Sequence, residues 1–332
     1  MARTLSEEQL LPLLRALSDG AWHSGEALAA DAGITRAALS KRVQKLLAWG
    51  LELETQPGRG CRLLQPLELL DADVIRGALA PAARARLNLR VLAGTDSTNT
   101  QLLHAGGADD PQALLAEHQS GGRGRHGRRW HSPFGANLYL SLAWSFDQWP
   151  AALSALPLAT GVATAQALEP LGLRELRLKW PNDLWLGHAK VGGILIEQRG
   201  EAGGSCRVVI GLGLNVAMRS ASTAAIAQPW TSLSEALGKV PSRNALAAAI
   251  LGQWLAMLER YAGEGFAPYA SAYRALDLMR GRAVSVQLPD GECRGIARGV
   301  DEAGALLIDA DGERRRILSG EVALRTAVER TA

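Results

Sequence analysis

The sequence predicts an α+β protein built from several domains, and three observations support this. The 332 residues exceed the length of a typical single domain, so two or three domains are expected. Helical patterns followed by a hairpin pattern occupy residues 1–66, and strands alternate with helices over residues 67–280. From residue 281 to residue 332 short strands are separated by Asp/Gly turns. We therefore predict an N-terminal winged helix-turn-helix, a central mixed α/β domain and a small C-terminal β-barrel.

The composition is that of an ordinary globular protein. Hydrophobic residues make up 47% of the chain and charged residues 21%, which is enough for a buried core. The net charge of +3 is too small to imply non-specific binding of polyanions, so any nucleic-acid contact must come from local clustering. Cys61, Cys206 and Cys293 lie far apart without metal-ligand spacing. With no signal-peptide or membrane-span pattern, we expect reduced thiols, no membrane and a cytoplasmic location.

The first 50 residues contain the start and stop signals of three helices. Leucines between residues 10 and 17 recur at helical spacing. Ser24 is a plausible N-cap for a short helix through Ala32, and Gly33 begins a tight turn. Thr35 is a second plausible N-cap for a helix over 36–49, with these apolar positions predicted to face the core: Ala38, Val43, Leu46 and Leu47.

The helix after this turn has a basic face, with no acidic residue between Thr35 and Lys45. In a helix-turn-helix this helix enters the major groove, so Arg36 and Ser40 are predicted to reach base edges. The β-like runs 51–55 and 61–64 would form the wing. Contacts to the DNA backbone are predicted for the remaining cations, Lys41, Arg42 and Lys45 on the helix and Arg59 on the wing. A solvated helix, or one used for protein contacts, remains the alternative.

The central and C-terminal regions follow from period and turn chemistry. A linker over about 66–87 contains a helix-like run at 71–79. Central strands are predicted at 114–117, 137–145, 176–180, 193–198 and 207–210. Central helices are predicted at 97–104, 156–168 and 245–261. C-terminal strands are predicted at 283–288, 293–299, 305–308 and 313–318.

The most informative segment is residues 122–130, GRGRHGRRW, which combines four arginines, three glycines and a terminal tryptophan. The glycines permit close backbone approach, and the guanidiniums present forked donors suited to phosphate and carboxylate oxygens. Such a loop can wrap a small polyanion, although taken alone it could also be a basic surface loop.

A second segment, residues 179–183 (KWPND), ends a β-like run and is followed by Lys190 and a buried strand. Pro181 cannot donate to a strand ladder, so it ends the first strand. Taken alone, Asn182 and Asp183 are ordinary turn residues, and Lys190 is an ordinary lysine flanking a strand.

Together these motifs resemble the biotin–protein ligase family, in which a GRGRxGRxW loop precedes a KWPND segment and a KxxGIL segment. Residues 96–99 (DSTN), Gln119 and residues 211–215 (GLGLN) match further elements of the family, and the resemblance spans about 90–320. It implies a class II synthetase-like catalytic domain and an SH3-like C-terminal domain. Some members carry an N-terminal DNA-binding domain and double as biotin operon repressors, and this chain resembles that subtype along its whole length.

The resemblance implies a reaction in which ATP converts biotin to biotinyl-5′-adenylate, which then biotinylates a lysine of the biotin carboxyl carrier protein of acetyl-CoA carboxylase. Bringing a carboxylate against a triphosphate requires cations, and Mg²⁺ on the phosphates is expected. No Walker A pattern occurs, which excludes P-loop phosphate binding.

The resemblance also implies residue roles. Biotin contacts fall on Ser97, Thr98, Asn99, Gln119, Arg123, Gly124, Arg125 and Lys190. ATP and adenylate contacts fall on Arg123, Arg125, Arg128, Asn182, Asn215 and Trp230. Catalytic roles fall on Lys190, Arg125 and Asp183, and Asp183 either handles the Mg²⁺ that accompanies ATP or takes the incoming lysine's proton. Trp130 is expected to pack in the core, and His126 to be exposed without a catalytic role.

The expected regulation links the adenylate to DNA. The adenylate-bound protein would form a homodimer that grips two half-sites of the operator of biotin-synthesis genes. Three alternatives stay open: a lipoate–protein ligase, a biotin-sensing repressor without catalysis, and a ligase whose DNA-binding domain is inactive.

Overall fold

The structure is a computed structural model that describes residues 7–105, 111–200, 204–218, 226, 228–288 and 291–324. It begins with three short helices and a hairpin. The helices are α1 (Leu11–Leu17), α2 (Gly25–Asp31) and α3 (Arg36–Ala48), and the hairpin pairs β1 (Leu53–Gln56) with β2 (Gly60–Leu63). Both predicted N-caps are confirmed, because the Ser24 side chain accepts from Glu26 N and Ala27 N, and the Thr35 side chain accepts from Ala38 N.

The core of this N-terminal part extends into the central part of the chain. Trp49, at the end of α3, is buried and stacks on Phe134 with 4.8 Å between ring centroids and on His118 with 5.9 Å. Leu47 was predicted to face the core, but it is 40% exposed. The helix ends at Ala48, so the chain turns and Trp49 supplies the apolar contact instead.

The linker contains two helices, α4 (Ala72–Ala78) and α5 (Pro81–Arg86). Glu68, just before them, accepts hydrogen bonds from the start of a long helix, α9 (Arg243–Glu264). The linker is thereby fixed to the central domain at a point where α9 begins.

A mixed seven-stranded sheet forms the centre of the molecule in the order β3-β4-β5-β9-β8-β7-β6. Only β3 and β4 run parallel. The strands are β3 (Asn88–Leu92), β4 (Gln112–Ala116), β5 (Leu138–Phe146), β6 (Leu176–Lys179), β7 (Asp183–Leu186), β8 (Ala189–Gly200) and β9 (Cys206–Leu214). All five predicted central strands are present, β8 and β9 are longer than predicted, and β3 and β7 were missed.

Helices cover the two faces of the sheet unequally. One face packs against α7 (Leu156–Leu168), α9 and α10 (Ala267–Leu276), which with the sheet form the main hydrophobic core. The other face carries only α6 (Thr98–His104) over a small apolar cluster of Leu102, Leu114, Ala143 and Val209. A further short helix, α8 (Leu233–Leu237), follows β9. The thinly covered face leaves room for a cavity beside α6.

The C-terminal part is an antiparallel five-stranded sheet in the order β13-β12-β11-β10-β14. Its strands are β10 (Ala283–Leu288), β11 (Gly291–Val300), β12 (Leu306–Ala310), β13 (Glu313–Ile317) and β14 (Glu321–Leu324). Within the described residues no β13–β14 pairing closes the sheet into a barrel. The sheet packs on the central part of the chain, and Trp180 Nε1 donates to Gly304 O at 2.9 Å.

None of the helices described combines the length and apolarity needed to cross a bilayer.

Candidate active site

A cavity of about 970 Å³ opens on the sheet face that carries α6. Its lining includes every site residue predicted in the central region: Ser97, Thr98, Asn99, Gln119, Arg123, Gly124, Arg125, Arg128, Asn182, Asp183, Lys190, Asn215 and Trp230. These residues come from segments more than a hundred positions apart, and the fold brings them together. The volume lies at the upper end of the range for small-molecule and cofactor sites.

The floor beside α6 is a chain of polar groups. Gln119 Oε1 accepts from Thr98 N at 2.9 Å and from Thr98 Oγ1 at 3.1 Å, and Gln119 Nε2 donates to Ser132 Oγ at 3.3 Å. The Thr98 hydroxyl also lies 2.7 Å from Ser141 Oγ, so with its proton on Gln119 it keeps one acceptor lone pair for a ligand. Ser97 Oγ accepts from Thr100 N at 3.4 Å, and no described residue takes its proton, so Ser97 can donate to a ligand. The floor thus offers one acceptor and one donor side by side.

Asn99 and Arg123 both contact the carboxylate of Glu197, a residue that no motif in the sequence indicates. Glu197 Oε2 accepts from Arg123 Nη2 at 2.7 Å and from Asn99 Nδ2 at 3.0 Å. Asn99 is itself buried and fixed by Ser141 Oγ at 2.6 Å. Glu197 lies on β8 four residues after Gly193, so both are on one face of the strand, a spacing that any amphipathic strand can show.

The arginine-rich loop is a compact hairpin. Arg123 and Arg129 form an isolated antiparallel bridge, and Gly124 N donates to Arg128 O at 2.7 Å. His126 at the tip is exposed, as predicted, with a left-handed φ of 53°. A Cβ at Gly122 would lie 2.7 Å from Ser132 Oγ, so this position has no room for a side chain. The hairpin holds its guanidiniums along one side of the cavity.

Trp130 lines the cavity and is only half-buried, so the predicted core role is wrong. Its indole lies against Gly213, where an added Cβ would overlap the ring. Lys190 Nζ lies 5.4 Å from the ring centroid, within the range of a cation–π contact. The indole Nε1 is buried without a hydrogen-bond partner among the described residues.

Lys190 and Asp183 form an ion pair inside the cavity, with Nζ and Oδ1 2.7 Å apart and side-chain exposures of 15% and 19%. Asp183 begins β7 and Lys190 lies near the start of β8; the two strands pair with a register shift between Leu184 and Trp185. The residues between Trp180 and Asp183 form a turn. Asp183, interpreted from the sequence as a turn residue, begins a strand that continues to Leu186. Asn182 closes this turn, because its Nδ2 donates to Ile194 O at 2.6 Å.

Lys190 is also held through its backbone. Its N–H donates to Pro229 O and its carbonyl accepts from Thr231 N, both at 3.0 Å, which places Trp230 beside it. Asn215 Nδ2 donates to Thr231 O at 3.0 Å and anchors the same segment. Segment 216–230 corresponds by the family resemblance to an adenylate-binding loop, and its residues 219–225 and 227 lie outside the described residues.

The cavity is strongly cationic, because its lining holds four arginines and two lysines but one acidic residue, Asp183. His131 adds no charge near neutral pH, since burial and the neighbouring Arg129 lower its pKa. An anionic ligand is therefore favoured. Among the described residues, no cluster of three or more His, Cys, Asp or Glu side chains could hold a metal ion.

The predicted DNA contacts lie apart from this cavity, on α3 and the hairpin. Arg36, Ser40 and Lys41 are exposed, whereas Arg42 and Lys45 are half-buried. The guanidinium of Arg36 contacts Glu26 at 3.0 Å in a highly exposed ion pair. Arg59 on the hairpin turn stacks over Trp22, 4.5 Å from the ring centroid.

Known proteins are similar to this chain over almost its whole length. Over 318 residues the chain is 44% identical to the bifunctional ligase/repressor BirA of Salmonella typhimurium, covering 96% of this chain and 98% of that protein. It is 43% identical to the bifunctional ligase/repressor BirA of Escherichia coli, covering 96% and 97%. This chain belongs to the biotin protein ligase family. Profiles of the biotin/lipoate A/B protein ligase family and of the biotin protein ligase C-terminal domain match residues 91–215 and 281–325 of this family member.

The fold agrees with that of a solved member of the biotin protein ligase family. The biotin protein ligase from Aquifex aeolicus in complex with biotin and ATP superposes with a TM-score of 0.62 at 31% identity. The match covers 72% of this chain and 99% of that one.

Proposed function

We propose that this protein is an ATP-dependent biotin–protein ligase. The observation that carries the proposal is the single cavity that combines the arginine hairpin, the Lys190–Asp183 pair and the polar floor. The relatives named as bifunctional ligase/repressors, and the solved relative with biotin and ATP, support it. They favour biotin over lipoate, which the residues 91–215 profile alone leaves open.

The floor suits the ureido ring of biotin. A ureido N–H can donate to Thr98 Oγ1, and its carbonyl can accept from Ser97 Oγ. Gln119 holds the Thr98 hydroxyl, Asn99 is linked to it through Ser141 Oγ, and Arg123 with Gly124 closes the side. The carboxylate at the far end of biotin would then point towards Lys190.

Arginine side chains would neutralise the triphosphate as it meets this carboxylate. A biotin carboxylate oxygen attacks the α-phosphorus of ATP, and pyrophosphate leaves. We assign Arg123, Arg125 and Arg128 to the phosphates, with Asn182 and Asn215 alongside, and Trp230 to the adenine. Lys190 stabilises the negative charge on the oxygen that joins the carboxyl and phosphate groups.

The second step transfers biotin to an amine. The acceptor lysine attacks the acyl carbon of biotinyl-5′-adenylate, AMP leaves, and the amine loses a proton. Asp183, already 2.7 Å from Lys190, is the carboxylate closest to this step. Mg²⁺ would arrive on ATP; with one carboxylate available, Asp183 could add a single ligand to an ion held mainly by phosphates and water, as Mg²⁺ prefers.

One experiment tests the ligase proposal directly. The full chain is incubated with biotin, Mg-ATP and a carrier domain of acetyl-CoA carboxylase, and the carrier mass is measured. A gain of one biotinyl group at one lysine is expected. An unmodified carrier with no release of pyrophosphate would refute the proposal.

We further propose that the N-terminal part is a winged helix-turn-helix that binds operator DNA of biotin-synthesis genes. The α2–turn–α3 arrangement, the exposed Arg36, Ser40 and Lys41, and the hairpin with Arg59 support it. Arg42 and Lys45 would hold phosphates at the edge of α3. A gel shift on the biotin-synthesis promoter tests this; equal binding with and without biotin plus ATP would refute a biotin-responsive repressor, and no binding would indicate a ligase with an inactive DNA-binding domain.

The proposed repressor is a homodimer when the adenylate is bound. A free strand edge supports this: β8 pairs with β7 only up to Gly193, and no described strand covers its outer edge from Glu197 to Gly200.

We also propose that residues 1–66, 67–280 and 281–332 form three domains, and that the last is an SH3-like unit. The three cysteines are free and buried, and this supports the proposal that the protein is located in the reducing cytoplasm.

A further inference from the structure

Among the residues that the structure describes, Glu197 is the one carboxylate that contacts two of the proposed biotin-binding residues at once. Its Oε2 accepts from the Arg123 guanidinium at 2.7 Å and from the Asn99 amide at 3.0 Å. Neither the adenylation step nor the transfer step requires a carboxylate at this position. Its place between the arginine hairpin and α6 therefore calls for a different role.

The contact joins three segments with different freedom. Asn99 lies on α6, is 4% exposed, and has its other contacts satisfied by Ser141 Oγ and by Leu195 O. Glu197 lies within β8, paired with Val209 on the central strand β9. Arg123 belongs to a glycine-rich hairpin, whose backbone has more freedom to lose on binding a ligand. The carboxylate thus ties the most adaptable of the three segments to the two most rigid.

The charge of Glu197 matters as much as its position. A lone carboxylate beside a site for anions would repel them, but here the guanidinium neutralises it. A guanidinium carries several N–H donors in a fixed fork, and the contact with Glu197 uses only the Nη2 end. The remaining donors of Arg123 are held on the cavity side, where this residue lines the wall.

We propose that Glu197 is a positioning residue that holds Arg123 in its ligand-binding orientation before biotin arrives. Because the orientation is set in advance, less conformational entropy is lost on binding. Glu197 acts through Arg123, which is assigned both to biotin and to the phosphates, so its loss should raise the KM for biotin and also lower kcat. This inference rests on the biotin–protein ligase function proposed above.

The test measures biotin-dependent pyrophosphate release by the full chain, with kcat and the KM for biotin determined separately. Glu197→Ala should raise this KM about tenfold, the lower end for a lost charge-assisted hydrogen bond, because the pair is partly exposed. The value of kcat should fall less than it does in Arg123→Ala, which removes the guanidinium altogether. Glu197→Gln, which keeps an acceptor oxygen, should raise the KM less. The matched control is Glu264→Ala, which breaks the exposed Arg260–Glu264 pair on α9 and should change neither constant.

A double-variant cycle separates positioning from a general effect on the fold. In an Arg123→Ala background, Glu197→Ala should raise the KM by less than about twofold, because its target is gone. An unchanged KM in Glu197→Ala, or effects of the two substitutions that multiply in full, would overturn the proposal. If Glu197→Ala does not fold, Glu197→Gln in the same two backgrounds gives the answer. A wild-type chain that releases no pyrophosphate would instead overturn the ligase function itself.

Discussion

Removing the charge of Glu117 should destabilise the protein far more than removing any exposed carboxylate. Glu117 and Arg243 are 2% and 3% exposed, and their Oε2 and Nη1 lie 2.6 Å apart. Glu117 Oε1 also accepts from Leu70 N, and Arg243 donates to Asn137 O and to Glu68 O. The pair therefore joins the linker, β4 and α9. Breaking a buried ion pair from one side leaves an uncompensated charge, which costs about 3–5 kcal/mol.

That free energy corresponds to a large change in melting temperature. For a domain of this size about 2–4 °C is lost per kcal/mol, so Glu117→Gln should lower Tm by about 6–20 °C. Differential scanning calorimetry near neutral pH gives the measurement. The matched control, Glu264→Gln, removes the charge from an ion pair that is 57% and 48% exposed, and should leave Tm almost unchanged. Replacing both partners, as Glu117→Leu with Arg243→Met, should recover only part of the loss, because Leu70 N and Asn137 O would lose these hydrogen bonds. If Glu117→Gln melts together with the control, the buried pair does not stabilise this fold as argued.

Three further predictions concern the site, the Trp49–His118 stack and DNA. Lys190→Met should reduce biotin-dependent pyrophosphate release on the order of 10²–10³-fold while Tm changes little, and a loss below about tenfold would contradict its role at the reacting carboxyl. Burial, together with Lys45, Arg129 and His131, lowers the pKa of His118 from 6.5. The unfolded chain then takes up a proton first as pH falls below about 6.5, so stability is lost there; His118→Phe should reduce the Tm difference between about pH 7.5 and about pH 5.5, and an unchanged difference would contradict this. Lys45→Ala should weaken operator binding and lower the slope of log K against log salt by about 1, whereas an unchanged slope would show that Lys45 meets no phosphate.

Local chemistry predicted the N-terminal helices well, because their signals are local. Ser24 and Thr35 accept the backbone donors that an N-cap should satisfy. Strand β7 was missed for the opposite reason. Its four residues, Asp183–Leu186, carry turn-forming and apolar side chains, and what makes them a strand is pairing with both β6 and β8. Such pairing depends on neighbours that the short run itself does not reveal.

The motifs indicated residues that the fold brings together, but not the positions of Trp130 and Glu197. The family resemblance identified the central site residues as a set, and all of them line one cavity. Trp130 was assigned to the core because buried packing is the common fate of tryptophan. Its actual place depends on Gly213, more than eighty positions later, which leaves space for the ring. Glu197 was missed because a glutamate on an amphipathic strand has no distinguishing pattern.

Three glycines explain why this face of the sheet can hold a ligand at all. Gly193 pairs with Gly213 across β8 and β9, and Gly211 lies two residues before Gly213 on the same face. A Cβ at Gly211 would overlap Asn99, one at Gly213 would overlap Trp130, and one at Gly193 would lie 3.3 Å from Lys190 Nζ. Glycine weakens a strand interior, yet here each one makes room for a side chain that lines the cavity. Their chain neighbours point to the opposite face, where they pack in the main core beneath the helices: Ile194, Ile210 and Leu212. The two-residue period of a strand therefore lets one sequence, Gly-Leu-Gly-Leu, stabilise the core and hollow out the site at the same time.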